Sequence, residues 1–300
     1  MSMGAISRTI LGLGILMALG APVASGAAAA PSRVAVVAAE NFYGDLVGQI
    51  GGDHVAVTSI IVDPTVDPHE YEVSAKDGAA VANARLVIQN GLGYDSFMTR
   101  LLKASPSRDR KSIVVGSLMG RKDGDNPHVW YAPATMPRLA QVVAETLVGL
   151  DPANAASYRS WLGAFTASMK RLNDEVARLR ARYAGTPVGA TEPVFGYMSD
   201  ALGLKVLTPR AFQKAVEEGE EPPAAAVAQM EDQLRTHRVR TLLYNLQTVT
   251  PITTKVRQRA KHLGIPVVGV TETEPPGKTY QQWMLAQLAQ LDTALGGQAK

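Results

Sequence analysis

No cysteine occurs anywhere in the 300 residues. Without thiolates there can be no disulfide framework, no cysteine-ligated zinc or iron–sulfur centre and no thiol nucleophile. Aromatic residues are sparse, at 6%, and there are only five histidines. Neither sign of charge dominates: 30 Lys and Arg stand against 27 Asp and Glu. Setting aside Arg8, the one charge near the N-terminus, 29 basic residues face 27 acidic ones, a formal +2. That is too balanced for the basic footprint of a nucleic-acid binder. The longest N-terminal apolar run, Ile10 to Leu19, is about ten residues and too short to span a bilayer.

That run has a purpose of another kind. One early charge, a short apolar stretch and then small residues through Ala30 form the layout of a secretory signal peptide. Residues 1–26 are therefore set apart from the fold, with cleavage expected after Gly26. Because no cysteine follows that could carry a lipid, the mature chain is expected to be exported and soluble, in the periplasm. At about 270 residues it can bury enough core to do without disulfides.

The mature chain alternates strand-like and helix-like segments. "RVAVV" leads into an amphipathic helix ending at Gly51-Gly52, "HVAVTSII" alternates as a second strand, and "SAKDGAAVANA" reads as a helix with Ser74 as N-cap before the strand "RLVIQN". The second half repeats the scheme, through "TPVGA", "RTLLYNLQ" and "IPVVGV", to a last helix from about Tyr280. This rhythm predicts an α/β fold with parallel sheets. Between the halves Tyr158, Leu162, Phe165, Met169, Leu172, Val176, Leu179 and Tyr183 recur at alternating spacings of 4 and 3. With Pro152 before this stripe and Gly185 after it, the spacing predicts one helix over 152–184, about 45 Å long at 1.5 Å per residue. Such a helix could form a coiled-coil dimer or bridge two lobes of its own chain. The flanking α/β segments favour the bridge, between an N-terminal lobe over 32–147 and a C-terminal lobe over 185–300.

Ligands of open α/β sheets collect at the carboxyl ends of strands. Four such loops carry metal-capable side chains: "DPHEYE" (His69), "DNPHVWYAP" (His128), "GATEPVF" (Glu192) and "VGVTETEPPG" (Glu272 and Glu274). An isolated loop histidine is ordinarily a solvated one. Here, however, the Asp/Asn-Pro-His arrangement occurs twice, and proline stiffens the approach to each ring. Glu192, Glu272 and Glu274 could instead sit near helix N-termini, where the dipole favours carboxylates. Two neutral imidazoles and two carboxylates suit Zn2+, Mn2+ or Fe2+, and a +2 ion with two carboxylates sums to zero. His54, His237 and His262 read as structural, "NGLGYDS" reads as a turn rather than a nucleotide loop, and the acidic "VEEGEEPP" reads as a solvated loop or a partner-facing patch.

Together, "ENFYGDLVGQIGGDHV", "DPHEYEVSAKD", "NPHVWYAP", "TEPVFGYMSDALGL" and "VTETEPPGKTYQQWM" resemble the metal-binding solute receptors of ABC importers for zinc and manganese, the cluster with a rigid linking helix. The resemblance implies a non-enzymatic, monomeric protein that holds one divalent metal in an interlobe cleft and hands it to a membrane permease. By position it assigns the ligands to His69, His128, Glu192 and Glu272, with Glu274 the alternative in the last loop. The glutamate at 192 matches manganese-type members, and no histidine-rich loop precedes His128, so Mn2+ is slightly favoured over Zn2+, with Fe2+ possible. Two rivals use the same residues: a secreted metallohydrolase with Glu70 or Glu274 as base, and a surface adhesion protein with a structural metal.

Overall fold

The computed structural model describes residues 1–4, 33–64 and 71–296. The expected signal peptide, beyond its first four residues, and the loop holding His69 and Glu70 therefore lie outside the described residues.

The N-terminal half builds a four-stranded parallel sheet in the order β2-β1-β3-β4, from β1 (Val34–Glu40), β2 (Val55–Ile61), β3 (Leu86–Gln89) and β4 (Lys111–Val114). Register is fixed by pairs such as Val36↔Val57, Val36↔Leu86 and Ile88↔Ile113. Every residue of β3 is buried, as expected of a strand covered on both faces. Helices α1 (Asn41–Gly51), α2 (Ala75–Asn83), α3 (Ser96–Ala104), the short α4 (Val115–Leu118) and α5 (Thr135–Leu150) surround it. Ser74 caps α2 as expected: its hydroxyl accepts from the Asp77 amide while Asp77 Oδ2 accepts from the Ser74 amide, at 3.3 and 2.7 Å.

The stripe from Tyr158 to Tyr183 forms a single helix, α6 (Ala155–Tyr183), preceded by a 3-10 turn at Pro152–Asn154. All its members are buried except Leu162, which is half-buried. The stripe is spent within its own chain, for α6 packs on α1 and α5 of the first half and on α7 and α11 of the second. Near its start Trp161 lies against Gly52, whose φ is +50° and where a Cβ would come within 2.5 Å of the indole ring. Only glycine meets both demands there. His54 is held against the same segment, edge-on to Tyr158 and 5.4 Å from Trp161, which accounts for it as a structural histidine.

The second sheet repeats the topology of the first, in the order β6-β5-β7-β8, from β5 (Pro187–Ala190), β6 (Lys205–Val206), β7 (Leu242–Asn245) and β8 (Val267–Val270). Its helices are α7 (Gly196–Leu202), α8 (Arg210–Glu217), α9 (Ala224–Arg235), α10 (Pro251–His262) and α11 (Tyr280–Ala294). The fold is thus two parallel-sheet α/β lobes with a long helix between them. One continuous apolar core takes in Leu86 and Ile88 of the first sheet, Leu172 and Leu179 of α6, Leu243 and Val268 of the second sheet, and Trp283 and Leu288 of α11. Smaller clusters fill the outer face of each lobe. Among the described residues no helix is long and apolar enough to cross a membrane.

Candidate metal centre

The loop after α4 approaches His128 through Asn126 and Pro127. Asn126 Oδ1 accepts from the His128 backbone amide at 3.0 Å and lies 2.7 Å from ring Nδ1. The amide is oriented by its other end, since Nδ2 donates to the Pro193 carbonyl at 2.8 Å. Nδ1 therefore carries a hydrogen and Nε2 faces the site. Asn90 Nδ2 donates to the Pro127 carbonyl at 2.9 Å, and Tyr197 donates to the Asn126 carbonyl at 2.9 Å. A three-residue loop is thus pinned from both lobes. Beneath it Trp130 lies 5.2 Å from the His128 ring and stacks on Phe42 at 4.7 Å.

On the C-terminal lobe Glu192 follows β5 and Glu272 follows β8. Neither serves as a helix cap: α7 is preceded by Phe195 with no side-chain cap, and α11 is capped by Thr279 in a box with Gln282. Glu272 Oε2 lies 3.1 Å from His128 Nε2 and accepts from the Tyr94 hydroxyl at 3.0 Å. Its loop is held by Gln247, whose Oε1 accepts from the backbone amides of Glu272 and Thr273 at 2.6 and 3.1 Å. The two glutamates are joined by Asn245 at the carboxyl end of β7. Asn245 Nδ2 donates to Glu272 Oε1 at 2.6 Å and Glu192 Oε2 at 3.1 Å, while its Oδ1 accepts from the Gln247 amide at 3.0 Å. His128, Glu192 and Glu272 are all buried.

Of the four residues singled out from the sequence, three converge here and His69 lies outside the described residues. Among the described residues no group of three or more His, Asp or Glu side chains stands together as an ion-holding cluster. Glu274 turns elsewhere. Its backbone exchanges hydrogen bonds with Asn41 at 2.7 and 3.0 Å, and burial, then the neighbouring Asp45, push its carboxyl up to about 9. Glu72 is exposed.

The sequence reading passed over Asn126, Asn245 and Gln247. Tyr94 belongs to "NGLGYDS", which is a turn: Gly91, Leu92 and Gly93 all have positive φ, and Asp95 accepts from the amides of Asn90 and Gly91 at 2.6 and 2.8 Å. Burial raises the Asp95 carboxyl to about 6, against the opposing effect of those amides. The acidic stretch "VEEGEEPP" requires correction. Val216 and Glu217 close α8 rather than lying in a solvated loop, and Glu217 Oε1 stands 3.6 Å from His128 Nδ1. A cleft of about 1100 Å³ opens beside these residues, bordered by Tyr94, Asn126, Pro127, Glu217 and Gln247.

The family profile described as zinc-uptake complex component A, periplasmic (ZnuA), matches residues 36–294. The chain belongs to that family. The metal ABC transporter substrate-binding lipoprotein SsaB of Streptococcus sanguinis is 27% identical to this ZnuA-family chain over 229 residues, covering 70% of it and 72% of SsaB. The manganese ABC transporter substrate-binding lipoprotein PsaA of Streptococcus anginosus is 25% identical over 228 residues, covering 70% and 71%. The solved periplasmic zinc binding protein TroA of Treponema pallidum shares the fold with a TM-score of 0.74, at 19% identity, over 88% of this chain and 99% of its own.

Proposed function

We propose that this ZnuA-family protein is an exported receptor that captures one divalent transition metal between its lobes and delivers it to an ABC permease. The observation that carries the reading is the contact of His128, from the N-terminal lobe, with Glu272, from the C-terminal lobe, beside Glu192. His69 is the fourth ligand in this reading, assigned by its place in the sequence after β2. An all-protein set of two imidazoles and two carboxylates holds an ion rather than activating water on it. The protein binds and releases, and is not an enzyme. The two carboxylates favour Mn2+ slightly over Zn2+, with Fe2+ also accommodated, although affinity order pulls toward zinc wherever zinc is supplied. The protein acts in the periplasm as a monomer, since the apolar stripe of α6 is covered by its own chain. Relatives are named as metal and manganese ABC transporter substrate-binding lipoproteins, whereas no cysteine occurs in the 300 residues of this chain.

Competitive titration of metal-free protein with Mn2+, Zn2+ and anaerobic Fe2+, with elemental analysis of the protein as isolated, tests the proposal. One tight equivalent per chain is expected, accompanied by a rise in melting temperature. Stabilisation by mass action is about 4 kcal/mol at a thousandfold excess over Kd. No tight binding of any of the three metals would overturn it.

A further inference from the structure

We propose that Glu217 is a positioning residue for the metal, acting through His128 from the opposite lobe; the inference rests on the reading of His128 as a ligand. Its Oε1 is 3.6 Å from Nδ1 of a ring that is 0% exposed, and its own side chain is 14% exposed. This is an ion-pair distance, and the Nδ1 hydrogen itself goes to Asn126 Oδ1 at 2.7 Å. The two partners therefore do different things. The neutral amide fixes the rotation of the ring, and the carboxylate supplies charge.

The charge matters once Nε2 coordinates a dication. Coordination draws electron density out of the imidazole and leaves the Nδ1–H end more positive. A carboxylate held near that end, half-buried at the cleft, stabilises the polarised ring and strengthens Nε2 as a donor. His128 thus lies between two carboxylates of the C-terminal lobe, Glu272 toward Nε2 and Glu217 toward Nδ1.

The placement of Glu217 does not serve its own helix. It is the last residue of α8, where the helix dipole disfavours a carboxylate. Phe212 and Val216 anchor the inner face of α8 in the outer core of the lobe and so direct its end into the cleft. Lys214, the lysine of α8, pairs with Glu218 at 3.5 Å on the exposed side. Glu217 turns the other way, toward the imidazole.

Glu217→Gln keeps the size and removes the charge. The expected result is about tenfold weaker binding of Zn2+ and Mn2+, with the melting temperature of the metal-free protein unchanged. Glu217→Asp should recover part of the loss, and Glu218→Gln should have no effect. Unaltered affinity in Glu217→Gln would overturn the inference. So would an equal loss in Glu218→Gln, which would point to the general field of the acidic stretch, or a fall in metal-free stability that tracks the loss of affinity. His128→Ala, measured in parallel, keeps the two claims apart. If it abolishes binding while Glu217→Gln does nothing, only this inference fails; if it leaves binding intact, the ligand assignment itself fails.

Discussion

Nε2 of His128 and Oε2 of Glu272 meet at 3.1 Å, both side chains wholly buried, one from each lobe. Asn126 fixes the other ring nitrogen as a donor, so a neutral ring would turn a lone pair toward a carboxylate oxygen. Two acceptors repel at that distance, and the contact is attractive only with a proton between them. In the proposed reading a metal ion between the two would make the contact attractive in the same way.

His128→Ala and His69→Ala should each weaken metal binding by at least about 100-fold, the upper end of what outer partners of metal sites cost. Competition against a chromophoric chelator measures this. His69→Ala should leave the metal-free melting temperature within a few degrees of the parent.

Asn245→Ala removes the amide between Glu192 and Glu272. The metal-free protein should lose about 1–3 kcal/mol, because buried carboxylate oxygens lose a donor, and metal affinity should fall about 10–100-fold. Denaturant melts with and without metal separate the two effects: bound cation replaces the missing donor, so the loss of stability should be smaller in the loaded protein.

How much of this was readable beforehand depends on whether a residue's role follows from its neighbours in sequence or from its neighbours in space. The α6 stripe, the Ser74 cap and the strand within "IPVVGV" follow from local pattern, since a 4-3 repeat, a Ser-x-x-Asp pair and a run of β-branched residues each favour one conformation, although β8 alternates half-buried and buried residues rather than being buried throughout. His128 and Glu272 drew notice because the Asp/Asn-Pro-His arrangement occurs twice and because Glu272 follows an apolar, strand-like run, at the end of a sheet where ligands collect. Asn245 gave no such sign. An asparagine ending a strand is ordinary, and its importance lies in reaching two glutamates 53 and 27 residues away. Glu217 was hidden among Glu218, Glu220 and Glu221. Composition marks that stretch as solvated, and only the anchoring of Phe212 and Val216 decides which glutamate turns inward.

Glu40 and Glu274 predict a pH dependence of stability. Burial and then Asp95 hold the Glu40 carboxyl well above the usual range, and burial and then Asp45 raise Glu274 from 4.5 to about 9. Each group binds its proton more tightly in the folded protein than in the unfolded chain. Its contribution to stability is thus fully present below about 4.5 and is lost as pH rises, for Glu274 through about 9. Metal-free protein should melt at progressively lower temperature between those limits. Glu274→Gln and Glu40→Gln should each flatten that decline and raise the melting temperature near pH 8, with little change near pH 4.5. A steeper decline in either variant would contradict the burial argument.

The core shared by both sheets bears on time as well as on stability. Tyr131, Phe195 and Trp283 interlock across it at ring separations of 5.3 and 5.9 Å. Parting three such rings exposes roughly 450–750 Å² of apolar surface, at about 25 cal/mol per Å², which makes spontaneous gaping of the lobes a rare event. If the proposed site holds its ion between the lobes, release is then a matter of loop rearrangement rather than of lobe separation.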